Sequence, residues 1–166
     1  MIVEGRARVL GDDVNTDYII SSKRKRDTID AMVLKLYLLE SIAPDFAASV
    51  QPGDLIVAGG NFGCGSAMEV AATVIQAAGI RAVIARSFAR SFYRNAINNS
   101  LLAVQCETSS IQESDRLRVQ SADGVMTVHN LTRGEVMHAA PMPAIMLRIL
   151  DEGGLVGFLS KYQGFD

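Results

Sequence analysis

Cysteine is scarce in this 166-residue chain, which carries only Cys64 and Cys106, far apart in sequence. Two thiols exclude a disulfide framework, and they are too few to hold a zinc ion or an iron-sulfur cluster within the chain. No apolar run approaches the roughly 18 residues of a membrane-spanning helix. The N-terminus, MIVEGRARVLG, also lacks the long apolar segment of a signal peptide, so a cytoplasmic location is expected. Neither sign of charge prevails: 16 Lys and Arg against 18 Asp and Glu leave a formal charge of -2. Nothing in that balance draws the whole chain to phosphate backbones or anionic lipid, and neither nucleic acid nor a membrane is expected as a partner. Internal repeats, low-complexity tracts and long linkers are missing too. What remains, 49% apolar and 20% charged residues, is the composition of a soluble globular protein with one core, read as a single domain over residues 1–166.

Hydrophobic patterning along the chain reads as α/β. IVEGRARVL alternates as a strand does, GDDVNTD is a turn dense in Asp and Asn, and a short apolar stretch, YII, follows. SSKRKRD, with four consecutive cations, reads as an exposed loop, and DAMVLKLYLLESI as one amphipathic helix. After a PGD turn, LIVAGG and RAVIARSF are buried strands flanking the helix EVAATVIQAAG, which Gly79 ends; together they make a βαβ unit. ARSFYRNAINN then reads as a helix and LLAVQC as a strand. RLRVQSADGVMTVHN is a hairpin turning at Asp123 and Gly124, and the tail is a helix ending at a glycine pair with a short helix beyond it. His129 and His138 have no motif around them and are assigned no role.

The stretch GGNFGCGSAMEVAA, Gly59 to Ala72, is the most informative. A glycine-rich turn between a parallel strand and a helix presents backbone N–H groups at the positive end of the helix dipole, a generic anion site. A Walker loop needs Lys and then Ser or Thr after its last glycine, and Ser66, Ala67 and Met68 stand there instead. A dinucleotide fingerprint needs a small residue where Met68 lies and an acidic residue ending the next strand, and it has neither. Ser66 and Glu69 do have capping-box spacing, which requires no function. That reading leaves four glycines, Gly59, Gly60, Gly63 and Gly65, unexplained, and their number suggests that something approaches the backbone closely.

NTDYII, PGDLIVAGGNFGCGS and AVIARSFARSFYRNAIN, in that order and spacing, resemble the small subunit of 3-isopropylmalate dehydratase and related homoaconitases, a domain shared with the C-terminal part of aconitase. The resemblance runs from about Gly5 to Leu102 and includes the GGL of the tail. It implies a swivelling β/β/α domain, a mixed sheet with flanking helices. It also implies a large partner subunit carrying a 4Fe-4S cluster, no metal on this chain, and a small hydroxy dicarboxylic acid substrate that is dehydrated and rehydrated. Ser66 is implied as the catalytic base, with Gly65 and Ala67 binding substrate beside it. A serine hydroxyl is a very weak acid, so its alkoxide needs fixed N–H donors and a helix N-terminus, which this loop offers.

The chain departs from that family in two places. Ser-Ser-Arg-Glu is usual after the glycine, and here Ala67 and Met68 precede Glu69, so a cation that holds a substrate carboxylate is missing. The run Lys23-Arg24-Lys25-Arg26 falls in the loop that selects substrate, and Arg24 or Arg26 is expected to reach a carboxylate on closure; a solvated basic run is the alternative. Asp17 is expected near the site, orienting the loop or the serine, unless it merely caps its own backbone. Arg86, Arg90, Arg94, Asn95 and Asn98 are read as supports of the loop, and Cys64 as packing. Three alternatives stay open: the same chemistry on dimethylmalate, citramalate or a homoaconitate-like acid, a non-catalytic paralogue, and a free-standing anion-binding module.

Overall fold

Alternation in IVEGRARV buries Val3, Gly5 and Ala7 and exposes Ile2 and Glu4, which places strand β1 (Ile2–Val9) flat against a core. The computed structural model describes residues 1–165. In it β1 is the middle of a seven-stranded mixed sheet of order β4-β3-β2-β1-β5-β6-β7. On one side β2 (Leu55–Ala58), β3 (Ala82–Ala85) and β4 (Leu102–Gln105) run parallel to it, with Ala7 opposite Leu55, Leu55 opposite Ala82 and Ala82 opposite Leu102. On the other side β5 (Arg116–Ala122), β6 (Val125–Asn130) and β7 (Glu135–His138) form an antiparallel meander, joined to β1 with Val3 opposite Val119.

LIVA and AVIA are apolar at every position because the sheet is covered on both faces there, as parallel sheets are. Ile56, Ala58, Val83 and Ala85 face a core shared with Leu34, Leu38, Ile75 and Phe92. Leu55, Val57, Ala82 and Ile84 face a second core with Leu117, Val128, Ile149 and Phe158. Between β1 and β2 lie the short helices α1 (Thr16–Ile19), α2 (Ser22–Asp27), α3 (Ala31–Leu34) and, after a 3-10 turn at Lys35–Tyr37, α4 (Phe46–Ser49). Helix α5 (Glu69–Ala77) joins β2 to β3, α6 (Arg90–Asn98) joins β3 to β4, and α7 (Ala144–Asp151) and α8 (Leu155–Tyr162) end the chain.

Two local expectations need correction. The basic run is not a loop: Ser21 accepts a hydrogen bond from the Arg24 N–H at 3.4 Å and starts helix α2. The single helix expected over DAMVLKLYLLESI is broken, because Asp30 caps a helix of only four residues and Leu39 turns to φ 59°. Short helices gain little on their own, so packing of Leu34, Leu38 and Leu39 into the core holds this region in place. Strand β7 and helix α4, at four residues each, are too short to show a period of their own. Asp123 and Gly124, both at positive φ, make the expected hairpin turn.

Candidate functional site

The glycine loop leaves the carboxyl end of β2 and rests on the segment that follows β1. Asp13 N–H donates to the Gly60 carbonyl at 2.9 Å, Gly63 N–H to the Val14 carbonyl at 2.8 Å, and Thr16 N–H to the Cys64 carbonyl at 2.8 Å. The buried Thr16 adds a hydroxyl bond to the Ser66 carbonyl at 2.9 Å. Asp12 accepts from Gly60 N–H at 2.7 Å and pairs with Arg86 at 2.5 Å; that backbone bond first, and the guanidinium second, hold its carboxyl below the ordinary aspartate range. Neighbouring C-termini of parallel strands thus build one rigid ledge, the usual place for a site in such a sheet.

The crowding that the glycine count implied comes from the chain itself. At Gly63, with φ 80°, a Cβ would overlap the Phe92 ring; at Gly65, with φ 92°, it would come within 2.5 Å of the Asn15 amide. Gly59 is likewise closed by the Asp12 carboxylate. The segment NTD is therefore packed into the glycines of the loop, and the two motifs are halves of one structure.

Ser66 is not a helix cap. Helix α5 starts at Glu69 with Met68 at its N-cap and no side-chain cap bond, so the capping box read from Ser66 and Glu69 does not form. Instead Ser66 is exposed, and among the described residues its hydroxyl has no hydrogen-bond partner. The N–H groups of Gly65, Ser66 and Ala67 likewise donate to no protein acceptor among the described residues, just ahead of the α5 N-terminus. Open donors beside a free hydroxyl and a helix dipole favour a negative oxygen at this point.

The cations sort by position on α2. Arg24 is anchored away from the loop: it makes two bonds to Glu40, at 2.9 and 3.1 Å, and its guanidinium lies 3.8 Å from the centre of the Tyr37 ring. Arg26 is exposed and has no ion-pair partner among the described residues. Lys25, which sequence reasoning passed over, is the cation that reaches the loop. Its ammonium contacts the Met68 sulfur and lies 3.6 Å from the Asp17 carboxylate, and its side chain is only 16% exposed. Asp17 itself accepts from Ser22 at 2.9 Å, which ties α2 to the NTD turn, and it makes no bond to Ser66; Asn15 does the local capping, accepting from Asp17 N–H at 2.8 Å. The ledge thus gathers Ser66, Gly65, Ala67, Asp17 and Lys25, with Arg24 as a brace. A run of four cations hides which one faces inward, since that depends on the helix phase of α2.

Among the described residues no cluster of three or more His, Cys, Asp or Glu is arranged to hold a metal ion. Burial pushes the Cys106 thiol up to about 11, which makes it a poor thiolate, and Cys64 stands without a second thiol. The donor set of this chain does not fit an iron-sulfur cluster. None of the described helices is long and apolar enough to cross a membrane.

Residues 23–109, which include α2 and the whole glycine loop, match the aconitase C-terminal domain family. The 3-isopropylmalate dehydratase small subunit 2 of Archaeoglobus fulgidus is 43% identical over 162 residues, covering 98% of this chain and 97% of the relative. The small subunit 1 of Methanopyrus kandleri is 44% identical, covering 96% of this chain and 94% of its own. The chain belongs to this family. A crystal structure of 3-isopropylmalate dehydratase from Methanocaldococcus jannaschii, 39% identical, superposes with a TM-score of 0.92 over 98% of this chain and 96% of that one. The swivel-domain architecture expected from the family motifs is thereby established, with a mixed sheet and helices on both faces.

Proposed function

We propose that this chain is the serine-bearing small subunit of a cytoplasmic hydro-lyase of the 3-isopropylmalate dehydratase type. It would act as one swivelling domain that closes over a large subunit. The observation that carries this reading is the state of Ser66: a free, exposed hydroxyl beside unpaired N–H groups at the start of α5, on a backbone pinned by Thr16.

In dehydration, the deprotonated Ser66 oxygen takes the carbon-bound proton of a hydroxy dicarboxylic acid, the carbon-carbon double bond forms, and the hydroxyl on the adjacent carbon departs with its bonding electron pair. A proton from an acid on the large subunit would complete the water, and Ser66 then releases its own proton to solvent, which restores the base. Rehydration reverses the sequence. The N–H groups of Gly65, Ser66 and Ala67 stabilise the oxygen while it is unprotonated and orient the nearer carboxylate. A 4Fe-4S cluster on the large subunit would supply the Lewis acidity that the departing hydroxyl needs.

Met68 cannot bind a carboxylate, and Lys25 lies directly against it. Lys25 is the cation best placed to take that group, with Asp17 holding the ammonium in position until substrate arrives. Arg26 is free to join it on closure, and Arg24 keeps α2 docked on Glu40 and Tyr37. A lysine is a point charge without the planar fork of arginine, so the acid that fits here presents its carboxylate differently. Dimethylmalate, citramalate and homoaconitate-like acids are therefore tested beside 3-isopropylmalate. The test is anaerobic reconstitution with the cognate large subunit, an assay of this panel, and Ser66→Ala in parallel. Activity that Ser66→Ala removes from an intact complex supports the reading. Equal inactivity of both proteins on every acid, with the complex formed and its cluster intact, overturns it in favour of a non-catalytic paralogue.

A further inference from the structure

A second concave surface lies away from Ser66, between α6 and α7. It is a groove of about 780 Å³ whose floor is apolar, with Tyr93, Ile97, Met146 and Ile149 among its lining, and Arg90 and Arg94 line it as well. Arg86, in the same segment, is paired with Asp12, whereas Arg90 and Arg94 are exposed and have no acidic partner among the described residues. Their placement is unfavourable for the isolated chain twice over. Arg90 is the first residue of α6, a cation at the positive end of a nine-residue helix, and Arg94 is a like charge one turn further on the same face. An anionic occupant removes both penalties.

The groove is also continuous with the candidate site. Phe88 lines it, and the Phe88 ring packs edge-on against Phe62 of the glycine loop, with centroids 6.1 Å apart. Phe62 and Phe88 are further joined by a backbone bridge between their segments. An occupant of the groove therefore touches a residue that touches the loop.

We propose that this groove seats an acidic segment of the large subunit, whose apolar side fills the floor while carboxylates at helical spacing meet Arg90 and Arg94. This rests on the heteromeric reading above. An apolar floor with charged residues at the edge is the anatomy of a specific interface, and opposite charge across it governs the rate and salt sensitivity of association.

The experiment is calorimetric titration of this chain into its cognate cluster-loaded large subunit at low and moderate salt, with wild type, Arg90→Glu/Arg94→Glu and the conservative Arg90→Lys/Arg94→Lys. Wild type should bind more weakly as salt rises. The glutamate pair should weaken Kd at least about tenfold and flatten the salt dependence, and the lysine pair should keep most of the affinity. Both substitutions lie at exposed positions, and thermal melts confirm that each variant folds. A wild type that does not associate overturns the heteromeric reading and the groove together. A wild type that associates while the glutamate pair binds equally well overturns the groove alone. Loss of self-association in sedimentation, with heteromer affinity unchanged, would assign the groove to a second copy of this chain and also overturn the proposal.

Discussion

Two regions of the molecule use their charged residues differently. At the base of the antiparallel meander a charged cluster is turned inward: Asp115, 4% exposed, accepts from Asn130 at 2.8 Å, Arg133 at 2.8 Å and Gln112 N–H at 2.9 Å, and these bonds bind the β5–β7 meander to the turn before it. Around the glycine loop and helices α2 and α6, donors and cations are left open among the described residues: the N–H groups at Gly65 to Ala67, the Ser66 hydroxyl, Arg26, Arg90 and Arg94. A satisfied network holds a shape, and an unsatisfied one awaits a ligand. One region is closed on itself as scaffold and the other is open to a ligand, although both rest on the same central sheet.

Ser66→Ala tests that division most severely. Loss of a positioned base should lower kcat of the reconstituted enzyme by about a thousandfold, within the range such groups contribute, and leave the melting temperature unchanged. A comparable loss of stability would mean that the serine belongs to the scaffold. Asp115→Ala should do the reverse. It strands Asn130 and Arg133 and should cost about 3 kcal/mol of stability in denaturant titration, with kcat and KM unaltered.

Acid sharpens the same contrast. Burial alone would raise the Asp115 carboxyl, but its hydrogen bonds from Arg133, Gln112 N–H and Asn130 outweigh burial and hold it below the ordinary aspartate value. A depressed folded-state value means stability that is complete above the unfolded value, near 4, and that drains away as pH falls through the folded one. Wild type should therefore lose stability steeply below about pH 4, and Asp115→Asn should show a shallower slope in the same window.

Smaller effects are expected along α2. Lys25→Met should raise KM about tenfold, roughly 1.4 kcal/mol, with a lesser change in kcat, and Lys25→Arg should recover most of it. An unchanged KM would return the basic run to the role of solvated surface. Arg24→Gln should lower the melting temperature slightly and leave KM nearly at the wild-type value, because that guanidinium is already committed to Glu40 and Tyr37. A KM effect larger at Arg24 than at Lys25 would reverse the assignment of brace and ligand.

The strands of the parallel half were legible because burial on both faces leaves continuous apolar runs, LIVA and AVIA, that few other structures produce. The hairpin was legible from Asp123 and Gly124. The α1–α4 region was not, since its helices have four to six residues and are held by tertiary contacts with Leu34, Leu38 and Leu39 rather than by periodicity. The candidate loop was legible as a motif around Ser66, and the reason for its glycines was misread. The glycines looked like room for a ligand, and they are room for Asn15, Asp12 and Phe92, contacts across long stretches of sequence that no local pattern encodes. Lys25 was hidden for the same reason, because its meeting with Met68 and Asp17 depends on how a six-residue helix is rotated.

Strand β1 has a further consequence for how the protein is made. It precedes the other six described strands in the chain, yet its parallel neighbour begins at Leu55 and its antiparallel neighbour at Arg116. At a synthesis rate of about 10 residues per second, one of its edges waits about 5 s and the other about 11 s for a partner. The centre of the finished sheet is thus the earliest-made of the seven described strands and the one that waits longest for its partners. The alternating Glu4, Arg6 and Arg8 put charge along one face of that strand, a feature that opposes its pairing with a second chain before both neighbours arrive.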